Sequence, residues 1–127
     1  MVIIGGYAGP SSIIEDHVDV YSIIDGKVTW SYKAKDCPHI VEDASVTVTG
    51  DKIWMVGGDR KTGRESSVYD FTLNDWTSLP AMHDIRTLRP AVFVLEGRLY
   101  AAGGQGSLDR IESLDISNYA TGVCKKL

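Results

Sequence analysis

The sequence carries no helical signature, because no window longer than a turn or two places apolar residues at i, i+3, i+4 and i+7. An all-β chain follows. No apolar run approaches the ~18 residues that span a bilayer, and residues 1–9 lack the positive flank and the length of a signal peptide. No membrane partner is expected, and the cytoplasm is the default location. Cysteine is scarce: Cys37 and Cys124 lie far apart, without the C-x-x-C spacing of a zinc or redox site. Both read as reduced thiols, which favours a reducing compartment over a disulfide scaffold. Positive charge is in deficit, 13 Lys+Arg against 17 Asp+Glu, and a net charge of -4 repels phosphates, so nucleic acid is excluded as a partner.

Signatures of catalysis are missing too. Gly104-Gln105-Gly106 runs on into Ser-Leu-Asp with no third glycine and no following helix, so it is no phosphate loop. The strained Gly-x-Ser-x-Gly elbow is absent. His17, His39 and His83 are expected in three separate linking segments, without the paired spacing of a metal site. No catalytic residue, metal or cofactor is expected, and the chain reads as no enzyme.

What is present is a repeat. Three glycine pairs, Gly5-Gly6, Gly57-Gly58 and Gly103-Gly104, each end an apolar run, at spacings of 52 and 46 residues. Sliding the second unit 46 residues onto the third sets Val46 on Val92, Val48 on Val94, Lys52 on Arg98, Ile53 on Leu99 and Trp54 on Tyr100. Trp30 precedes Gly57 by 27 residues, and Trp76 precedes Gly103 by the same 27. Residues 44–48 alternate apolar with polar, Gly50-Asp51 turns the chain, and 52–56 run apolar into the glycine pair, which makes a hairpin. Residues 91–95 and 98–102 repeat it around Glu96-Gly97. The continuous run Ile53-Trp54-Met55-Val56 calls for burial on both faces, as between stacked sheets. Segments 66–72 and 76–78 complete a four-stranded meander.

A glycine pair followed by a Tyr and a Trp with six residues between them, as in Tyr69 and Trp76, resembles the kelch family. The likeness continues through Leu79-Pro80-Ala81-Met82, Arg86 and Ala91-Val92. It implies an all-β, incomplete kelch β-propeller of about three four-stranded antiparallel blades, over residues 1–40, 41–88 and 89–127, the first blade lacking a strand. Closed propellers need ~4–8 blades, so a fragment of a longer chain or a truncated, non-functional product is expected. In the first unit Tyr21 and Trp30 stand eight residues apart, room for a tight turn at Asp25-Gly26, and Ile40 replaces Arg86. In the third unit Leu114 and Thr121 occupy the Tyr and Trp positions, which marks that blade as degenerate or badly packed. The glycine pairs, Tyr21, Trp30, Tyr69 and Trp76 are assigned to structure, as are Trp54 and Tyr100.

The resemblance implies a protein-interaction module like the propellers of cullin-type ubiquitin ligase adaptors or of actin-binding kelch proteins. Fragments of kelch-fold enzymes, sialic-acid-processing or copper-oxidising, are the alternative; Asp25-Gly26-Lys27-Val28-Thr29-Trp30 resembles the aspartate box of sialidases, except that its Asp and Gly are adjacent. Charged loops on a rigid scaffold are where recognition resides. The candidates are Asp59, Arg60, Lys61 and Arg64 between two strands of the middle blade, His83, Arg86 and Arg89 in the link to the third, and Gln105 and Arg110 beyond it. Their arginines suit the carboxylates of an acidic protein or peptide, although the place of Arg86 in the repeat suggests a structural duty. Open blade edges leave room for self-association.

Overall fold

The computed structural model describes residues 1–8, 13–38, 42–59, 61–119 and 122–127, the side chains of 6–8 and 13–15 excepted. It holds three antiparallel sheets in chain order. The first contains β1 (Val2–Ala8), β2 (Ile13–Ile24) and β3 (Lys27–Lys33). The second runs β4 (Ser45–Thr49), β5 (Lys52–Val56), β6 (Ser66–Asp70), β7 (Asp75–Ser78), and the third β8 (Ala91–Leu95), β9 (Arg98–Ala102), β10 (Ile111–Asp115), β11 (Lys125–Lys126). Each strand pairs with its chain neighbour, the meander of an incomplete propeller with a three-stranded first blade. Among the described residues no helix is long and apolar enough to cross a membrane.

Turn chemistry sets the hairpins. Asp25 and Gly26 have φ of 51° and 74°, and Glu96 and Gly97 have 48° and 72°. Positive φ at both central residues is the turn whose twist matches paired strands. The 46-residue register survives in space across the first hairpins: Val46 faces Met55 across β4 and β5, as Val92 faces Ala101 across β8 and β9; one strand on, Ile53 faces Tyr69 as Leu99 faces Leu114, a spacing of 45 on β10.

The core is divided by β5. Its odd residues Ile53 and Met55 join Tyr69 against Val18, Ala34 and Cys37 of blade one. Its even residues Trp54 and Val56 join Val68 against Leu99, Ala101 and Leu114 of blade three. All four are at most 3% exposed, so the strand is covered on both sides. The Trp54 indole donates to Thr49 Oγ1 at 2.7 Å, and its ring meets Tyr119 edge-on at 5.5 Å. Tyr69, fully buried, donates its hydroxyl to Asn74 Oδ1 at 2.7 Å, and burial pushes its pKa up to about 12.

Two expectations need correcting. Blade three is not badly packed: Leu114 is 2% exposed in the shared core. Its last strand falls at 125–126, beyond Thr121, which lies outside the described residues, and Tyr119 reaches Trp54 instead. Trp30 shares the repeat position of Trp76 yet is 56% exposed, its indole donating to Asp19 Oδ1 at 3.1 Å. Trp76 donates to the Lys35 carbonyl of the preceding blade at 2.9 Å, and among the described residues Trp30 has no preceding blade. Tyr100, assigned to structure, lies half-buried, stacked on the exposed Phe93 at 5.0 Å.

Replacing the two tryptophans will therefore differ. Trp54→Ala should cost about 3–5 kcal/mol and Trp30→Ala less than about 1 kcal/mol in urea unfolding; equal losses would contradict the two-sided burial of β5.

Candidate functional site

Three connecting segments meet at one end of blades two and three: 57–65 between β5 and β6, 79–90 between β7 and β8, and 103–110 between β9 and β10. Each strand-joining loop is closed by one equivalent bond, Gly57 N–H to the Glu65 carbonyl at 2.9 Å and Gly103 N–H to the Arg110 carbonyl at 3.0 Å. The link threads between them. Arg86 N–H donates to the Gly63 carbonyl at 2.7 Å, and Thr87 exchanges bonds of 3.3 and 2.7 Å with Gln105. A Cβ on Gly57 would collide with the Arg86 carbonyl oxygen, which is why glycine stands there.

Beneath the loops lies a buried ion pair. Arg86 is 0% exposed, and its Nη1 donates to the carbonyls of Gly103 at 2.7 Å and Arg110 at 3.0 Å, its Nη2 to Glu112 Oε1 at 3.3 Å. Glu112, 1% exposed, also accepts the amides of His83 at 2.8 Å and Asp84 at 2.9 Å. Desolvating two charges is offset only when such bonds surround them, and here they join the link to blade three. Arg86 is accordingly removed from the binding candidates.

Above this pair opens a groove of about 420 Å³, lined by Arg64, Asp84, Ile85, Thr87, Gln105 and Ser107. Asp84 Oδ1 accepts from Arg110 Nη1 at 3.1 Å and Lys126 Nζ at 3.0 Å, and Lys126 foremost holds that carboxyl below its ordinary range. The second oxygen, Asp84 Oδ2, is buried without a partner, as is Arg86 Nε; these are the two such side-chain atoms among the described residues, and both lie here. Buried polar atoms without a protein partner are met by strain, an ordered water or a ligand.

The remaining candidates divide. Arg64 and Gln105 line the groove, exposed, with no described residue bonded to their side-chain heads. Lys61 is exposed on the neighbouring loop. Asp59 is occupied within its own loop: Oδ1 accepts Thr62 N–H at 2.9 Å, Lys61 N–H at 2.7 Å and Thr62 Oγ1 at 3.1 Å, and the Thr62 amide foremost depresses its pKa. The His83 ring Nε2 meets the Cys124 carbonyl at 2.8 Å. Arg89 turns to Asp43, 3.1 Å away, outside the groove. Arg60 and His39 lie outside the described residues. Sequence reasoning missed Asp84, Ser107 and Glu112. The signal for the last was a carboxylate in mid-strand between Ile111 and Leu114, where solvent would otherwise be required.

His17 also departs from expectation, lying on β2 and not in a link. Its Nδ1 sits 3.1 Å from Asp36 and 3.7 Å from Asp16. All three are exposed and Lys33 Nζ reaches Asp36 at 2.9 Å, so ion pairing accounts for the cluster. Cys124 is buried, its thiol pushed up to about 11 by that burial.

No family model matches the sequence. Over 67 residues the chain is 33% identical to an F-box/kelch-repeat protein of Arabidopsis thaliana, covering 50% of this chain and 19% of that protein. Over 118 residues it is 30% identical to the kelch-like protein terF of Aspergillus terreus, covering 78% of this chain and 25% of that protein. The chain spans a quarter or less of the length of these relatives. The solved structure of YjhT superposes with a TM-score of 0.72 over 96% of this chain and 46% of its own, at 12% identity, a likeness of fold.

Glu112→Ala should destabilise the chain by about 3–5 kcal/mol by stranding Arg86, and the double change Glu112→Leu with Arg86→Met should recover much of that loss in urea unfolding. Asp59→Ala should speed tryptic cleavage after Lys61 and Arg64 while leaving the thermal midpoint nearly unchanged; an unaltered cleavage rate would show that the carboxylate does not hold the loop.

Proposed function

We propose that this chain, a run of kelch repeats forming part of a β-propeller, is a protein-interaction module that binds an acidic segment of a partner through the groove between blades two and three. The observation that carries the reading is the convergence of three loops on a buried scaffold, with the side-chain heads of Arg64 and Gln105 at the groove bonded to none of the described residues. A guanidinium with no partner among the described residues is suited to bidentate carboxylate recognition. Arg110 and Lys126 flank it, both paired to Asp84. The role is binding, without catalysis.

Of the finer roles, substrate recognition for a ubiquitin ligase draws support from the relative whose name joins an F-box to kelch repeats. Actin binding has no comparable support. Self-association is a further property of the reading, since apolar residues remain exposed on both outer blades, Trp30 and Val28 on one and Phe93 and Leu95 on the other.

An array of immobilised peptides with acidic, neutral or basic sequences tests the proposal. The chain should be retained on acidic members, with retention falling as salt rises, and Arg64→Glu should weaken it at least about tenfold without changing the thermal midpoint. Retention indifferent to peptide charge or to Arg64→Glu would refute it.

A further inference from the structure

An apolar side chain stands among the polar groups of the groove between blades two and three. Ile85, 42% exposed, lines it together with Arg64 from the β5–β6 loop and with Gln105 and Ser107 from the β9–β10 loop. Both loops are shaped around this residue. A Cβ on Gly63 would lie 2.8 Å from Ile85 Cγ2 and 3.0 Å from Thr87 Cγ2, and Gly63 does not have the left-handed backbone that by itself calls for glycine. Room for the link is what glycine supplies there. From the other loop, a Cβ on Gly106 would come within 3.2 Å of the Ile85 carbonyl oxygen, which also accepts the Ser107 hydroxyl at 3.0 Å. Held by both loops, and stiff at χ1 because it is β-branched, Ile85 keeps its remaining aliphatic surface open to the groove.

Resting on the acidic-segment reading, we propose that Ile85 is a second determinant of the same groove: the segment it accepts carries an aliphatic residue two positions from its acidic residue. The carboxylate pairs with Arg64 while the aliphatic side chain covers Ile85. The spacing follows from both sides of the contact. Gly63, against which Ile85 Cγ2 packs, is the chain neighbour of Arg64, so the apolar seat lies beside the root of the guanidinium. In an extended ligand, residues i and i+2 are the nearest pair on one face, and here both must face the groove. Charge brings acidic segments to the rim, where Arg64, Arg110 and Lys126 gather. The aliphatic contact then discriminates among them, because a polar neighbour leaves Ile85 in water.

Fluorescence anisotropy of labelled octapeptides of equal net charge is the test. Two carry Glu-Ser-Leu or Leu-Ser-Glu at the centre of a glycine-serine frame, and the control carries Glu-Ser-Ser. One leucine order at least should bind about fivefold tighter than the control, or more. Ile85→Ser should bring that ratio close to one while leaving the control's affinity and its fall with salt unchanged; Ile85→Val should keep the preference. Thermal midpoints of both variants verify the fold. Leucine and control peptides that bind alike, with acidic binding intact, would overturn the proposal and leave the acidic-segment reading standing, as would a leucine preference that survives Ile85→Ser. If none of the peptides binds, or if binding ignores Arg64→Glu, both fall together.

Discussion

A strand that is apolar on both faces needs a sheet on each side of it, and β5 imposes that condition on the whole chain. Ile53 and Met55 commit it to blade one, and Trp54 and Val56 to blade three. Neither neighbour is optional, because each covers area that water would otherwise meet, at about 25 cal/mol per Å² of apolar surface. The middle blade is thus stabilised from both sides and the outer blades from one. Exposed Trp30 and Phe93 are the direct consequence, since among the described residues no sheet lies on the outer side of either blade.

The two junctions are built differently. Between blades two and three the link carries Arg86 and the facing strand carries Glu112, and their mutual bonds fix the loops above them. Between blades one and two the same repeat positions hold Ile40 and Ser67, so cation and anion are absent together. That junction relies on Val18, Cys37 and Met55, and on the Trp76 indole reaching the Lys35 carbonyl. A buried ion pair is weak evidence for stability on its own. What it does here is positional: the bonds of Arg86 and Glu112 tie the link to the loop and strand of blade three.

The architecture was legible because a repeat multiplies weak signals. One glycine pair means little, whereas three at similar spacing, with valines and aromatics in register, fix the meander and its turns. Burial was legible only where a neighbour existed to create it. Trp30 and Trp76 are the same residue in the same repeat position, and their fates differ because one has a preceding blade beside it. Leu114 looked like a defect through comparison with Tyr69, yet it fills the same space against Leu99. The candidate site was legible at the level of loops and not of side chains. The place of Arg86 in the repeat already hinted at a structural duty that Arg64 lacks, but only the sheet behind each decides that one is buried against Glu112 and the other faces solvent.

Net charge was the least informative quantity, because it averages over a surface that recognition samples locally. The chain is acidic overall, at -4, but around the groove Arg64, Arg110 and Lys126 surround a single carboxylate, Asp84. With screening over about 8 Å at physiological salt, an approaching segment senses these groups and few of the other acidic residues among the seventeen in the chain. A local cationic rim set in an acidic surface also repels acidic segments that arrive in the wrong place, so the contrast selects position as well as charge.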